Sequence, residues 1–135
     1  MLVEKSHELG IGADSDVVLV RQAARSAAVA IGFNLIDQTK IVTAASEIAR
    51  NTLVHGGGGK ARIETVRDTS KTGLRLTFED FGPGIANIEL AMKDGYTSGG
   101  GLGLGLGGAK RLSSEFEIES APGRGTRVIL TRWKA

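Results

Sequence analysis

The period of the apolar positions changes several times along the chain, and each change marks a new element. Residues 2–11 alternate weakly through Leu2, Lys5, His7 and Leu9, as a short strand does. From 17 to 31, Val17, Val20, Ala24, Ala27, Ala28 and Ile31 recur at helical spacing. Ser15 or Asp16 is the expected N-cap of that helix and Gly32 its C-cap. A second helix is expected over 35–54, with Ile41, Ala44, Ala45, Ile48 and Leu53 as its buried stripe. Glycines 56–59 read as a plain loop. The period then falls to two. Ala61, Ile63 and Thr65 mark a strand over 60–67, and Leu74, Leu76 and Phe78 mark another over 72–79. The turn at 68–71 makes them a hairpin. Ile88, Ala91 and Met92 form a short helical pattern within 85–95, between glycine-rich hinges, as expected of a lid. Arg111, Leu112 and Phe116 carry helical spacing, in a helix expected to end near Ser114; Phe116, Ile118 and Ser120 also read as a strand. A turn at 122–125 leads to a last strand over 126–133. Two helices, a hairpin, a third helix and a closing hairpin predict a two-layer α/β sandwich. Its sheet is mostly antiparallel and its helices lie on one face.

Composition narrows the function classes. A chain of 135 residues with 41% hydrophobic content suits one folded domain, 1–135, with neither internal repeat nor linker. The net charge of +2, with a pI near 9.2, is too mild to imply nucleic acid, and 4% aromatic content offers no base-stacking surface. The absence of cysteine excludes disulfides, thiolate metal sites and cysteine nucleophiles, and it fits the cytoplasm. The first ten residues carry Glu4, Lys5 and Glu8 and do not form a signal peptide. No apolar run has the length of a membrane span.

Candidate chemistry centres on residues 99–108, where seven of ten residues are glycine: Gly99, Gly100, Gly101, Leu102, Gly103, Leu104, Gly105, Leu106, Gly107 and Gly108. Bare N–H groups ahead of a helix make a ready phosphate cradle, and the regular leucines argue against a mere linker. On the second helix Glu47 and Asn51 lie four apart and project from one face, with His55 one turn further. Asparagine is a poor helix former, so Asn51 points to a use. Asp80 ends a strand ahead of Gly82, Pro83 and Gly84, a turn that aims a carboxylate at a fixed point. Arg21 and Arg25 share an exposed face of the first helix, where solvated charge is the plain reading.

The order of these motifs is more specific than any one of them. Glu47-x-x-x-Asn51, Asp80-x-Gly82-x-Gly84, Gly101-Leu102-Gly103-Leu104-Gly105 and Gly125-Thr126 together resemble the ATP site of the GHKL superfamily, over nearly the whole chain. Within that superfamily the chain is most similar to the anti-sigma-factor-like serine kinases, especially the RsbT type. Gly32-Phe33, Asp37-Gln38, residues 46–51, residues 79–85, Lys110-Arg111-Leu112 with Glu115-Phe116, and Arg132-Trp133-Lys134 carry the closer match. The resemblance implies that Asn51 holds Mg²⁺ and that Glu47 is the general base for a serine hydroxyl. It implies that Asp80, with Thr126 beside it, accepts from the adenine amino group. Gly82 and Gly84 let the backbone pass close to the base, and the 99–107 loop wraps the phosphates. Arg21 is implied to touch a protein partner. The implied activity is transfer from ATP to a serine of a STAS-domain protein, with release to a PP2C-type phosphatase or comparable output protein. An RsbW-type anti-sigma factor and a nucleotide-gated module without kinase activity are the rival readings. His55 stands where many relatives carry an aromatic residue nearby, and Gly107 where they often carry proline. The chain has no dimerisation histidine box, which sets it apart from sensor histidine kinases.

Overall fold

The computed structural model describes residues 1–93 and 105–134. The chain runs β1 (Leu2–Ile11), α1 (Asp14–Ala30), α2 (Leu35–Val54), β2 (Gly59–Asp68), β3 (Lys71–Asp80), α3 (Ile88–Ala91), α4 (Gly105–Arg111), β4 (Glu115–Ser120) and β5 (Thr126–Trp133). The strands form one sheet in the order β1-β2-β3-β5-β4. Every neighbouring pair is antiparallel. The alternation read from the sequence decides which face is covered. Ala61, Ile63, Leu74, Leu76, Phe78, Val128 and Leu130 are buried in one cluster with Val17, Val20, Ala24 and Ala28 of α1 and Ile41, Ala44, Ala45 and Ile48 of α2. The sandwich predicted from the sequence is the fold observed. Among the described residues no helix is long and apolar enough to cross a membrane.

Three local expectations need correction. Neither Ser15 nor Asp16 caps α1. Ala13 is the N-cap, and Asp16, three residues on, reaches back so that its Oδ2 accepts from the Gly12 and Ala13 N–H groups at 2.8 and 3.0 Å. A carboxylate at that position supplies the returning half of a capping box, which alanine cannot. Gly59 is no loop residue but the first residue of β2, paired with Asp80. A Cβ there would lie 1.9 Å from the Glu79 carbonyl oxygen. Phe116 is not helical. It lies in β4 opposite Leu130, while α4 starts inside the glycine run at Gly105. Gly107 and Gly108 are buried within α4, which packs against α2. Glycine weakens a helix interior, and close approach to a neighbour is what that cost permits.

Other expectations stand. Gly32 follows the C-cap Ile31 with φ +88°, the left-handed conformation that ends a helix. The α2 boundaries match, and its N-cap is Asn34, whose Oδ1 accepts from the Asp37 N–H at 2.8 Å. The weak alternation of β1 reflects its place at the sheet edge, where most of its residues are exposed. The short helix expected within 85–95 is α3, and residues 94 and 95 lie outside the described residues.

Candidate functional site

A cavity of about 390 Å³ opens where the C-terminal half of α2 meets the segment after β3 and the start of α4. Glu47, Arg50, Asn51, Val54 and His55 line it from α2. Residues 83–87, Leu90 and Ala91 form a second wall, and Gly105 and Leu106 a third. Its volume lies within the usual range for small-molecule sites. Val54, Ile85, Leu90 and Leu106 supply apolar surface, while Glu47, Arg50 and Asn51 concentrate the polar groups on one helix. Helical geometry explains that concentration, because residues three and four apart share a face. Glu47 is buried, at 8% exposure, yet its residue borders the cavity.

The C-terminal end of α2 is fastened to the opposite wall. His55 Nε2 lies 3.0 Å from the Gly84 carbonyl oxygen. A carbonyl only accepts, so Nε2 carries the hydrogen and His55 is the donor. Gly84 itself has φ +78°, and a Cβ there would meet the Ala121 carbonyl oxygen at 2.0 Å. Only glycine fits that bend. Its neighbours are held as well. The Gly123 N–H donates to the Pro83 carbonyl at 2.7 Å, and the Ile85 N–H donates to Ser120 Oγ at 2.8 Å.

Asp80 and Thr126 do not line the cavity. They face each other across β3 and β5, and both are buried, at 5% exposure. The Asp80 Oδ1 accepts from the Gly82 N–H at 2.9 Å. Its carboxyl group lies against Gly56, where a Cβ would stand 2.2 Å from Asp80 Cγ. Gly82 presses on the same residue, since a Cβ there would lie 2.7 Å from the Gly56 Cα. Gly82 and Gly84 thus also approach the protein's own backbone closely, at Gly56 and Ala121.

The structure thus gathers Glu47, Asn51, Gly84 and Gly105 at one cavity and sets Asp80, Gly82 and Thr126 beside it at the end of the sheet. Gly99, Gly100, Gly101, Leu102, Gly103 and Leu104 lie outside the described residues. Arg21 is elsewhere. It borders a separate groove between α1 and α2 with Gln22, Arg25, Val42, Thr43 and Ser46. Sequence reasoning assigned no role to Arg50 or Ser120. Arg50 was findable, being three residues after Glu47 on the same face. Ser120 was not, because its bond from the Ile85 N–H joins segments far apart in the chain.

Among the described residues no cluster of three or more His, Cys, Asp or Glu could hold a metal ion by itself. Magnesium does not need one. It keeps several waters and takes one or two protein ligands together with substrate phosphates. The Asn51 side-chain oxygen, one turn from the Glu47 carboxylate on the same cavity wall, is a donor of the hard type that this ion takes.

Comparison with known proteins bears on the family and the fold of the chain. Residues 36–135 match the family described as histidine kinase-, DNA gyrase B-, and HSP90-like ATPase. The chain is 46% identical over 118 residues to serine/threonine-protein kinase RsbT of Bacillus subtilis (strain 168), covering 87% of this chain and 89% of that protein. It is 34% identical over 102 residues to an anti-sigma F factor of Clostridium kluyveri, covering 73% of this chain and 72% of that protein. Among solved structures, the RsbU and RsbW domains of Rv1364c from Mycobacterium tuberculosis align with a TM-score of 0.66 at 22% identity. That alignment covers 98% of this chain and 33% of the other, so the chain spans about a third of that larger one. The SiaB–SiaC complex from Pseudomonas aeruginosa aligns with a TM-score of 0.53 at 15% identity, covering 97% of this chain and 90% of the other. These two structures share the fold.

Proposed function

Because the chain belongs to the histidine kinase-, DNA gyrase B-, and HSP90-like ATPase family and is a protein serine/threonine kinase of that type, we propose that it transfers the γ-phosphoryl group of ATP to a serine of a STAS-domain antagonist protein. The observation that carries this reading is the placement of Glu47 and Asn51 together on one cavity wall, with Glu47 largely withdrawn from water. A positioned carboxylate can take the proton of an attacking hydroxyl, which is the work of a general base. Asn51 would hold Mg²⁺ through its side-chain oxygen. When bound, that ion neutralises phosphate charge during transfer. Asp80 and Thr126 would receive the adenine amino group. Residues 99–105 would cradle the phosphates with backbone N–H groups. Arg21 would contact the protein partner from the α1–α2 groove. In partner switching, the kinase released from its substrate would bind and activate a PP2C-type phosphatase or comparable output protein. Such a kinase would act in the cytoplasm.

The test is transfer of radiolabelled phosphate from ATP with Mg²⁺ onto a panel of STAS-domain proteins from the same cell, run beside Glu47→Gln. The expected result is label on one serine, lost in the variant while ATP binding is kept. Transfer that survives in Glu47→Gln would show that Glu47 is not the base. ATP binding without label on any panel member would favour a nucleotide-gated binding module. Similarity to anti-sigma F factors supports a second reading, in which the chain also sequesters a sigma factor. Retention of a sigma factor in a pull-down would select it.

A further inference from the structure

Three polar contacts meet at Ser120 Oγ. The Ile85 N–H reaches it at 2.8 Å, the Gly125 carbonyl oxygen lies at 2.8 Å, and Thr126 Oγ1 lies at 2.9 Å. A serine hydroxyl has one proton and two lone pairs. The Gly125 carbonyl can only accept, so the Ser120 proton goes there. The Ile85 N–H can only donate, so it takes one lone pair. One arrangement then satisfies the third contact: Thr126 donates its proton to Ser120. The remaining capacity of Thr126 Oγ1 is to accept. Asp80, paired with Thr126 across the sheet, is as a carboxylate likewise an acceptor and not a donor.

Given the adenine-nucleotide site proposed above, we propose that Ser120 is a positioning residue for base selection. It draws the Thr126 proton away from the base and so makes Thr126 and Asp80 a pair of acceptors. A pair of acceptors welcomes the 6-amino group of adenine and rejects the 6-carbonyl of hypoxanthine or guanine. The same hydroxyl ties that pair to Ile85, beside the Gly84 bend in the cavity wall. Base recognition and the wall that carries α3 are therefore joined through one oxygen.

The test is equilibrium binding of ATP and of ITP, which differ at position 6, measured by titration calorimetry on the purified chain. The wild type should bind ATP at least about thirtyfold more tightly, because a carbonyl set against two acceptors leaves buried groups unpaired. Ser120→Ala frees the Thr126 proton to turn toward the base, so the ATP/ITP ratio should fall about fivefold or more, on the scale of one hydrogen bond. Ser120→Thr keeps the hydroxyl and should keep the ratio. In a Thr126→Val background Ser120→Ala should leave the ratio unmoved, since the hydroxyl it orients is gone. A merely structural serine would weaken both nucleotides together, and that result overturns the proposal. So does a fall in ratio of equal size in the Thr126→Val background. If Ser120→Ala does not fold, Ser120→Cys, whose thiol is a weak donor, is read in the same way. A wild type that binds neither nucleotide overturns the nucleotide site and this role together. One that binds ATP with a ratio insensitive to Ser120 overturns this role alone.

Discussion

Arg132 near the end of β5 holds three elements at once. Its Nη2 lies 2.6 Å from Asp37 Oδ1 in the first turn of α2, and its Nη1 donates to the Leu112 carbonyl just after α4 at 2.8 Å. The two side chains are 17% and 9% exposed, and Arg132 Nε is buried without a hydrogen-bond partner among the described residues. Such a pair is costly to desolvate and costlier to break. Removing one partner from a buried pair typically costs 3–5 kcal/mol, and the partial exposure of Arg132 argues for the lower end, about 3 kcal/mol. Asp37→Leu and Arg132→Met should each lose about that much, a fall of roughly 10 °C in Tm for a chain of this length. Asp37→Leu with Arg132→Met removes both charges and replaces them with apolar volume. It should cost less than either single change, by about 1–2 kcal/mol. The assay is urea unfolding followed by circular dichroism, closed as a double-mutant cycle. A coupling energy below about 0.5 kcal/mol would refute the reasoning, because independent sites add within that margin.

Two further perturbations probe the site itself. Gly56→Ala places a methyl carbon 2.2 Å from Asp80 Cγ, so the carboxyl must move. Overpacking of this kind costs about 1–3 kcal/mol, and ATP affinity should fall with Tm; calorimetry and a thermal melt check both. His55→Ala removes the bond to the Gly84 carbonyl. A net hydrogen bond is worth about 1 kcal/mol, so a small loss of Tm is expected with ATP binding weakened several-fold, and unchanged affinity would show that this strap does not shape the cavity.

Much of the fold was legible in the sequence because periodicity reports burial directly. The 3.6 period of Ile41, Ala44, Ala45 and Ile48 and the period of two in Leu74, Leu76 and Phe78 are what the helix–sheet interface requires. The family resemblance rested on motif order, and the whole-chain comparison agrees with it. What misled was local. The capping signals Ser15 and Asp16 look alike in sequence, and only the backbone path shows that Asp16 works from inside the helix. Glycine was ambiguous for a deeper reason. It marks places where backbone comes close to something, but not what that something is. Gly105 and Gly107 looked like loop and are helix.

Gly56, Gly82 and Gly125 show what that ambiguity concealed. Gly56 lies against the Asp80 carboxyl group, Gly82 donates to Oδ1, and a Cβ on Gly125 would lie 2.2 Å from the Asp80 carbonyl oxygen. Asp80 is thus held by backbone on several sides before any ligand arrives. A carboxylate on a loose turn would lose side-chain entropy on meeting a base, about 0.5–1.5 kcal/mol for a freely rotating group. One already fixed loses little. The same packing that would resist a side chain at these glycines would leave Asp80 preorganised for the adenine contact proposed above. Stability and binding should therefore fall together when any of them gains a side chain. Glu47→Gln alters charge with almost no change of volume, so it should leave both in place and lose transfer alone.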